Sequence, residues 1–349
     1  MRAALALLAL LALTACAPPR SSHIVIGAKN FTEQVVLGEL LAQEIEAAGG
    51  GKVERRFWLA GSYLCQQALI SARIDGYVEY TGTALTAILK QPLPKPGTCD
   101  EACVHAEVAR LYEQRYGVRE GPGLGFEDTF AMVVRGDEAQ RLGLKTISDV
   151  AKVNPPMRLG VGYEFAERPD GLRGLSAAYG LKFDGPPRTM ELGLLYRALA
   201  AKQVDIVAGN STDGAIKAQG FVMLEDDRHY FPPYEAVPLV REDSLKRWPQ
   251  IGVAMERLAG KVSDEDMRAM NLVVDAEHRD VAEVVREFRA RNSRTTSATS
   301  RCSESTARFI ARMSSSLTLP ASRSIATPIC GHRFSESSRT RGTASYGGK

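Results

Sequence analysis

Histidine is scarce in this chain. There are five in 349 residues, and two of them, His23 and His332, fall in the terminal parts. A nucleophile activated by an imidazole base is therefore hard to assemble. The sequence also lacks a Gly-x-Ser-x-Gly elbow, a phosphate-binding loop ending in Gly-Lys-Ser/Thr, and a His-Glu-x-x-His pair. Nothing asks for catalysis, a metal or a cofactor, so the chain is expected not to be an enzyme. The six Cys are too few and too scattered for a disulfide scaffold. Cys99 and Cys103 flank three residues and can pair in an oxidising compartment, whereas His105 alone beside them is too little for a metal site. Cys65 reads as a buried small hydrophobe.

Long apolar runs are missing too. The longest, Ala3 to Leu13, follows Arg2 and is too short to span a membrane as a mature helix. It is followed by Leu13-Thr14-Ala15-Cys16, which resembles the lipobox of bacterial lipoproteins. The resemblance implies a signal peptide over 1–15, lipidation at Cys16 and a linker over 16–22, with more than one acyl chain needed for stable anchoring. The implied product is a periplasmic or cell-surface protein tethered to a membrane. Acids all but vanish at the other end. From Asn292 to Lys349 there is no Asp and only Glu304 and Glu336 among many Ser, Thr and Arg. Such a composition does not bury enough apolar surface to offset chain entropy, and disorder is expected. The tail reads as an accidental extension, for example a change of reading frame after a complete domain, with a basic tail touching anionic lipid or polymer as the alternative. Its Arg residues inflate the net charge of +3, so no nucleic-acid partner is indicated.

What remains, roughly 270 residues, suffices for two lobes of ordinary domain size. Ile24-Val25-Ile26 reads as a strand ending in Gly27, and Val36, Leu37, Leu40, Leu41 and Ile45 recur at helical spacing after it. Strands are expected over 53–59 and 74–78, with a helix over 64–72 between them. A second unit alternates strands near 129–134, 159–162 and 204–208 with helices over 171–179 and 192–201. After Tyr234 the chain returns to the first unit through 236–240 and three amphipathic helices, 248–258, 264–274 and 279–290. Alternation of this kind predicts parallel α/β sheets with ligands near the strand ends. One lobe interrupted by another predicts a hinge and a cleft. The expected boundaries are 23–127 and 225–291 for the first lobe, 128–224 for the second, and 292–349 for the tail.

Four segments carry chemistry. Lys29 follows a strand and precedes a helix, a place suited to an anion. In Glu79-Tyr80-Thr81-Gly82-Thr83-Ala84, Tyr80 offers a ring face and Thr83 a hydroxyl, while Thr81 or Thr83 equally reads as a helix cap. Arg168 stands before Pro169-Asp170-Gly171 and can grip a carboxylate through two parallel bonds, or pair with Glu164, Glu167 or Asp170. Phe231-Pro232-Pro233 is stiff and holds Tyr234 in one direction. Together these supply cations for a carboxylate and rings for a cationic head.

Lys-Asn-Phe-Thr-Glu-Gln at 29–34, Glu-Tyr-Thr-Gly-Thr-Ala at 79–84, Arg-Pro-Asp-Gly at 168–171, Ser-Thr-Asp-Gly at 211–214 and Leu-Glu-Asp-Asp at 224–227 occur in one order. That ordered set resembles the substrate-binding proteins of osmoprotectant ABC importers, which take glycine betaine, choline or proline betaine. The resemblance runs from about Ile24 to Ala290 and implies a two-lobed type II periplasmic-binding-protein (Venus flytrap) fold. It implies that Lys29, Thr83 and Arg168 meet a carboxylate, and that Tyr80 and Tyr234 are two walls of an aromatic cage. At two further cage positions the chain departs from the family, with Phe130 and Asn210 where Tyr is common. One lost wall costs about 0.5–2 kcal/mol of cation–π attraction. The implied partners are a small zwitterionic solute, an ABC permease and the membrane through the lipid anchor, with the protein a monomer. A solute sensor of the same fold with another carboxylate-bearing ligand is the rival.

Overall fold

A computed structural model describes residues 22–95 and 98–293. Cys16 with the leader, and the tail beyond 293, lie outside the described residues. The strands are β1 (Val25–Gly27), β2 (Glu54–Arg56), β3 (Gly76–Tyr80), β4 (Val118–Glu120), β5 (Phe130–Arg135), β6 (Leu159–Val161), β7 (Arg188–Thr189), β8 (Ile206–Asn210), β9 (Phe221–Met223) and β10 (Ala236–Arg241). They form two five-stranded sheets, ordered β2-β1-β3-β10-β4 and β7-β6-β8-β5-β9. In each sheet four strands run in one direction and one long strand, β10 or β5, lies antiparallel between two of them.

The sheets have this form because their strands bury both faces. Along β3, Tyr77 enters one apolar cluster while Val78 and Tyr80 enter another. Along β5, Met132 and Val134 face one cluster, and Ala131 and Val133 face the other. The period of two is the pleat itself. Helix Thr32–Ala47 covers one face of the first sheet with Val36, Leu37, Leu40, Leu41 and Ile45, all with no exposed surface. Helices Gln250–Leu258 and Asp264–Glu277 and the helix over 281–293 complete that layer. On the opposite face lie helix Ser62–Ile70 and helix Glu101–Tyr116. The latter starts at Asp100, whose side chain accepts from the Cys103 N–H, and ends at Gly117 in the left-handed region. Cys99 and Cys103 are disulfide-bonded across its first turn, with Cα atoms 5.3 Å apart. Cys65 is free and buried.

The chain passes between the sheets twice, and the two crossings hold each other. Glu127 and Glu235 form an antiparallel bridge. The Asp128 N–H donates to the Tyr234 carbonyl at 3.1 Å, and the Ala236 N–H donates to the Phe126 carbonyl at 3.1 Å. Leu224 and Tyr230 pack with the second sheet, and Glu225 is bridged to Thr146. Phe231 touches the clusters of both sheets.

Two local expectations change. Strand β3 continues through Glu79 and Tyr80, so these residues belong to a buried strand end rather than to a loop. The helical turn that follows starts at Thr81, with Tyr80 as its N-cap and no side-chain cap. The Thr81 hydroxyl donates instead to the Pro233 carbonyl at 3.1 Å and accepts from the Glu235 N–H at 3.1 Å, joining the turn to the return crossing. Gly82 permits this close approach. A Cβ there meets the Pro233 carbonyl oxygen at 2.8 Å and Tyr234 ring carbons at 2.9 Å. Gly82→Ala should therefore displace the crossing and lower stability by about 1–3 kcal/mol, read by denaturant unfolding. A variant as stable as the parent shows that the crossing yields freely.

Candidate functional site

Strand ends from both sheets face each other across a cavity of about 310 Å³, near the small end of ligand pockets (~300–1,000 Å³). All seven residues singled out in the sequence line it: Lys29, Tyr80, Thr83, Phe130, Arg168, Asn210 and Tyr234. Lys29 lies two residues beyond β1, Tyr80 closes β3, and Thr83 belongs to the turn after it. Phe130 opens β5, Asn210 closes β8, and Arg168 caps the short helix Tyr163–Glu167. Tyr234 sits in the return crossing. Ligands of α/β sheets bind at such edges because the chain ends there and side chains converge.

Each cation already has a carboxylate. Arg168 is 8% exposed and donates to both oxygens of Asp170, from Nε at 3.0 Å and Nη2 at 2.5 Å. Its Nη1 reaches Thr83 Oγ1 at 3.0 Å, across the cavity. Asp170 in turn accepts from the hydroxyls of Thr86, at 2.8 Å, and Tyr234, at 2.9 Å. Burial works against both charges. For Arg168, its charged and hydrogen-bonded neighbours more than reverse that penalty and raise its pKa above the ordinary value. Burial pushes the Asp170 carboxyl up, yet Arg168, Thr86 and Tyr234 hold it below the usual range. Lys29, 2% exposed, pairs with Glu79, which also accepts from Tyr77 and the Tyr80 N–H.

The rings take cations as well. Arg168 lies over Phe130 at 4.8 Å and near Tyr234 at 6.0 Å, and Lys29 lies over Tyr80 at 4.7 Å. Phe130 also meets Phe165 edge-on at 4.9 Å and Phe231 at 6.0 Å. Phe165, absent from the sequence-based set, lines the cavity. The pairing of Arg168 with Asp170 is one of the alternatives the sequence leaves open, whereas nothing in the sequence assigns Glu79 a role. Their signal was adjacency to Tyr80 and Arg168, which alone does not show which way a carboxylate points.

Beside Tyr80 lies a cluster of three acids, Glu33 and Asp128 buried and Asp213 half-buried. Glu33 accepts from Tyr80 at 2.6 Å, Thr212 at 2.5 Å and Asn271 at 2.8 Å. Asp128 accepts from the Thr212 N–H and the Ser211 hydroxyl, both at 3.4 Å. Asp213 accepts from Tyr196 at 2.7 Å and the Asn210 N–H at 2.8 Å. Desolvation raises all three pKa values, most of all because no base is set against them. Asp213 is pushed up to about 7.

At the cavity mouth Glu164, from the second sheet's side, accepts from the Ser62 N–H at 2.5 Å at the start of helix Ser62–Ile70. The approach relies on Gly61, where a Cβ stands only 2.1 Å from Glu164 Oε1.

Two sheets joined by paired crossings around one cavity define a two-lobed solute-binding protein. Residues 22–291 match the model of the substrate binding domain of ABC-type glycine betaine transport systems, and the chain belongs to that family. It is 33% identical over 272 residues to the carnitine transport binding protein OpuCC of Listeria monocytogenes, covering 77% of this chain and 87% of that protein. It is 32% identical over 273 residues to a glycine-betaine-binding protein of Pseudomonas aeruginosa, covering 75% and 86%. A solved structure described as a glycine betaine/carnitine/choline ABC transporter superposes with a TM-score of 0.65 at 30% identity, covering 77% of this chain and 98% of that one. The family is one of transport substrate-binding proteins rather than enzymes.

The raised Asp213 pKa has a consequence for stability. Between the ordinary value of 3.8 and about 7, the native protein keeps a proton that the unfolded chain has lost. Stability contributed by this group is therefore lost as pH rises through that window. Asp213→Asn does not ionise and still accepts a hydrogen bond. Its Tm relative to the parent should climb between about pH 4 and pH 7 and level off above. A difference independent of pH shows that Asp213 ionises normally.

Proposed function

We propose that this protein captures a small zwitterion bearing a quaternary ammonium and a carboxylate outside the cytoplasm and delivers it to an ABC permease. The observation that carries the reading is the convergence of all seven residues, from both sheets, on one cavity bridged by the Arg168–Thr83 bond. On this reading the carboxylate lies toward Lys29, Thr83 and Arg168, and the ammonium toward the faces of Tyr80, Phe130 and Tyr234. The two lobes close by hinging at the paired crossings around Glu127 and Glu235, and ligand contact with both favours the closed form. Glu164 on the Ser62 N–H adds a latch across the mouth. A lipid anchor at Cys16, a monomeric state and the absence of catalysis complete the proposal.

Electrostatics support a zwitterion over a simple anion. Lys29 and Arg168 are each balanced by a buried carboxylate, and Glu164 adds negative charge at the mouth. An incoming carboxylate shares cations that are already paired, and the cavity holds no surplus positive charge for an unaccompanied anion.

Calorimetric titration with glycine betaine, proline betaine, choline and ectoine tests the reading. A betaine should bind in the micromolar range, and propionate should not. Thr83→Val should weaken the betaine about tenfold, the worth of a charge-assisted hydrogen bond, while Arg168→Ala should abolish detectable binding. Silence from every betaine sinks the assignment. In stopped-flow measurements Glu164→Ala should speed release about tenfold with little change in association rate. A change confined to association argues against a latch.

A further inference from the structure

At the end of β8 Asn210 has a strand partner on one side only. Register pairs it with Phe130 in β5. On its other side β6 ends at Val161, which pairs with Ala208, so no strand residue is paired with Asn210 there. Asn210 is 9% exposed and lines the cavity. Its backbone is engaged, donating to Asp213 Oδ2 and accepting from the Asp213 N–H at 3.2 Å. Its carboxamide has no hydrogen-bond partner among the described residues.

That sets it apart from the other predicted contact residues. The polar groups of Lys29, Tyr80, Thr83, Arg168 and Tyr234 are all bonded to protein. A carboxamide brings two donors and an acceptor, and a ligand that closes the cavity over them without matching them leaves them desolvated at a cost. The same cavity lining carries the apolar side chains of Phe130, Met190 and Leu192 and the carboxylates of Asp128, Glu164 and Glu191. An amide in the cavity lining that the protein leaves unengaged fits a ligand with a hydrogen-bonding substituent on its carbon frame.

We propose that Asn210 determines specificity by selecting betaines that carry a hydroxyl on the carbon frame over their unsubstituted counterparts. This rests on the zwitterion reading above. A buried site that bonds a hydroxyl discriminates against the ligand lacking it, because its own polar group is then left unmatched.

The test uses two matched pairs, each differing by one hydroxyl: L-carnitine against γ-butyrobetaine, and 4-hydroxyproline betaine against proline betaine. They are titrated calorimetrically into the full chain. The hydroxylated member of at least one pair should bind roughly five- to tenfold tighter, the range of one net hydrogen bond. Asn210→Leu should bring that ratio close to one. Asn210→Ser, which keeps a hydroxyl and guards against a Leu variant that fails to fold, should give a ratio between the two. Equal affinities within both pairs overturn the proposal, as does a preference that survives Asn210→Leu. If none of the four ligands binds, the zwitterion reading itself fails. If they bind without preference, only the role of Asn210 falls.

Discussion

The ion pair between Arg168 and Asp170 is the contact on which the cleft depends. Both groups are nearly removed from water, and each survives there because the other and its bonded neighbours replace the lost solvent. The pair ties three parts of the chain together. Arg168 reaches Thr83 after β3, and Asp170 receives the hydroxyls of Thr86 and Tyr234. The helical turn after β3, the return crossing and the second lobe thus meet at one charge pair. A pair so bound positions a guanidinium without leaving it free to wander, and a positioned charge binds with less ordering cost than a mobile one.

Around that pair the site has an uneven division of labour. The rings of Phe130, Phe165, Phe231 and Tyr234 form a connected aromatic wall. Of the three acids, Asp128 lines the cavity while Glu33 and Asp213 do not, and all are satisfied by hydroxyls, an amide or backbone N–H groups. Their raised pKa values follow from that choice of partners, since neutral donors relieve less of the desolvation than a cation does. Because Glu33 belongs to the first lobe's helix and Thr212 to the second lobe's turn, their bond spans the hinge beside the crossings.

Much of this was legible in advance. Helix Leu192–Ala200 was readable because its apolar residues fall on one face, and helix Thr32–Ala47 because Val36, Leu37, Leu40, Leu41 and Ile45 recur at helical spacing, although most of its surface is buried. Strands β5 and β8 were readable because short β-branched runs ended in Gly, Asn or a charged residue. Helix Glu101–Tyr116 was not. Its inward set of Val104, Val108, Leu111 and Tyr112 is spaced helically, but seven charged or strongly polar residues between and around them obscure the period. The strand end at Glu79 and Tyr80 was taken for a loop because Glu in a buried strand is rare unless paired, and its partner Lys29 lies 50 residues away.

The sequence by itself determined the kind of protein this is. Ordered motifs and alternating elements specify local conformation, and local conformation with apolar period is enough to name the sheets and the residues at their ends. Only the tertiary structure decided how those residues are spent. Lys29 is committed to Glu79 and Arg168 to Asp170, while Asn210 stands unmatched in the wall. Hydrogen-bond partners in a cleft come from segments distant along the chain, and their geometry is set by how two lobes pack, which no local pattern encodes.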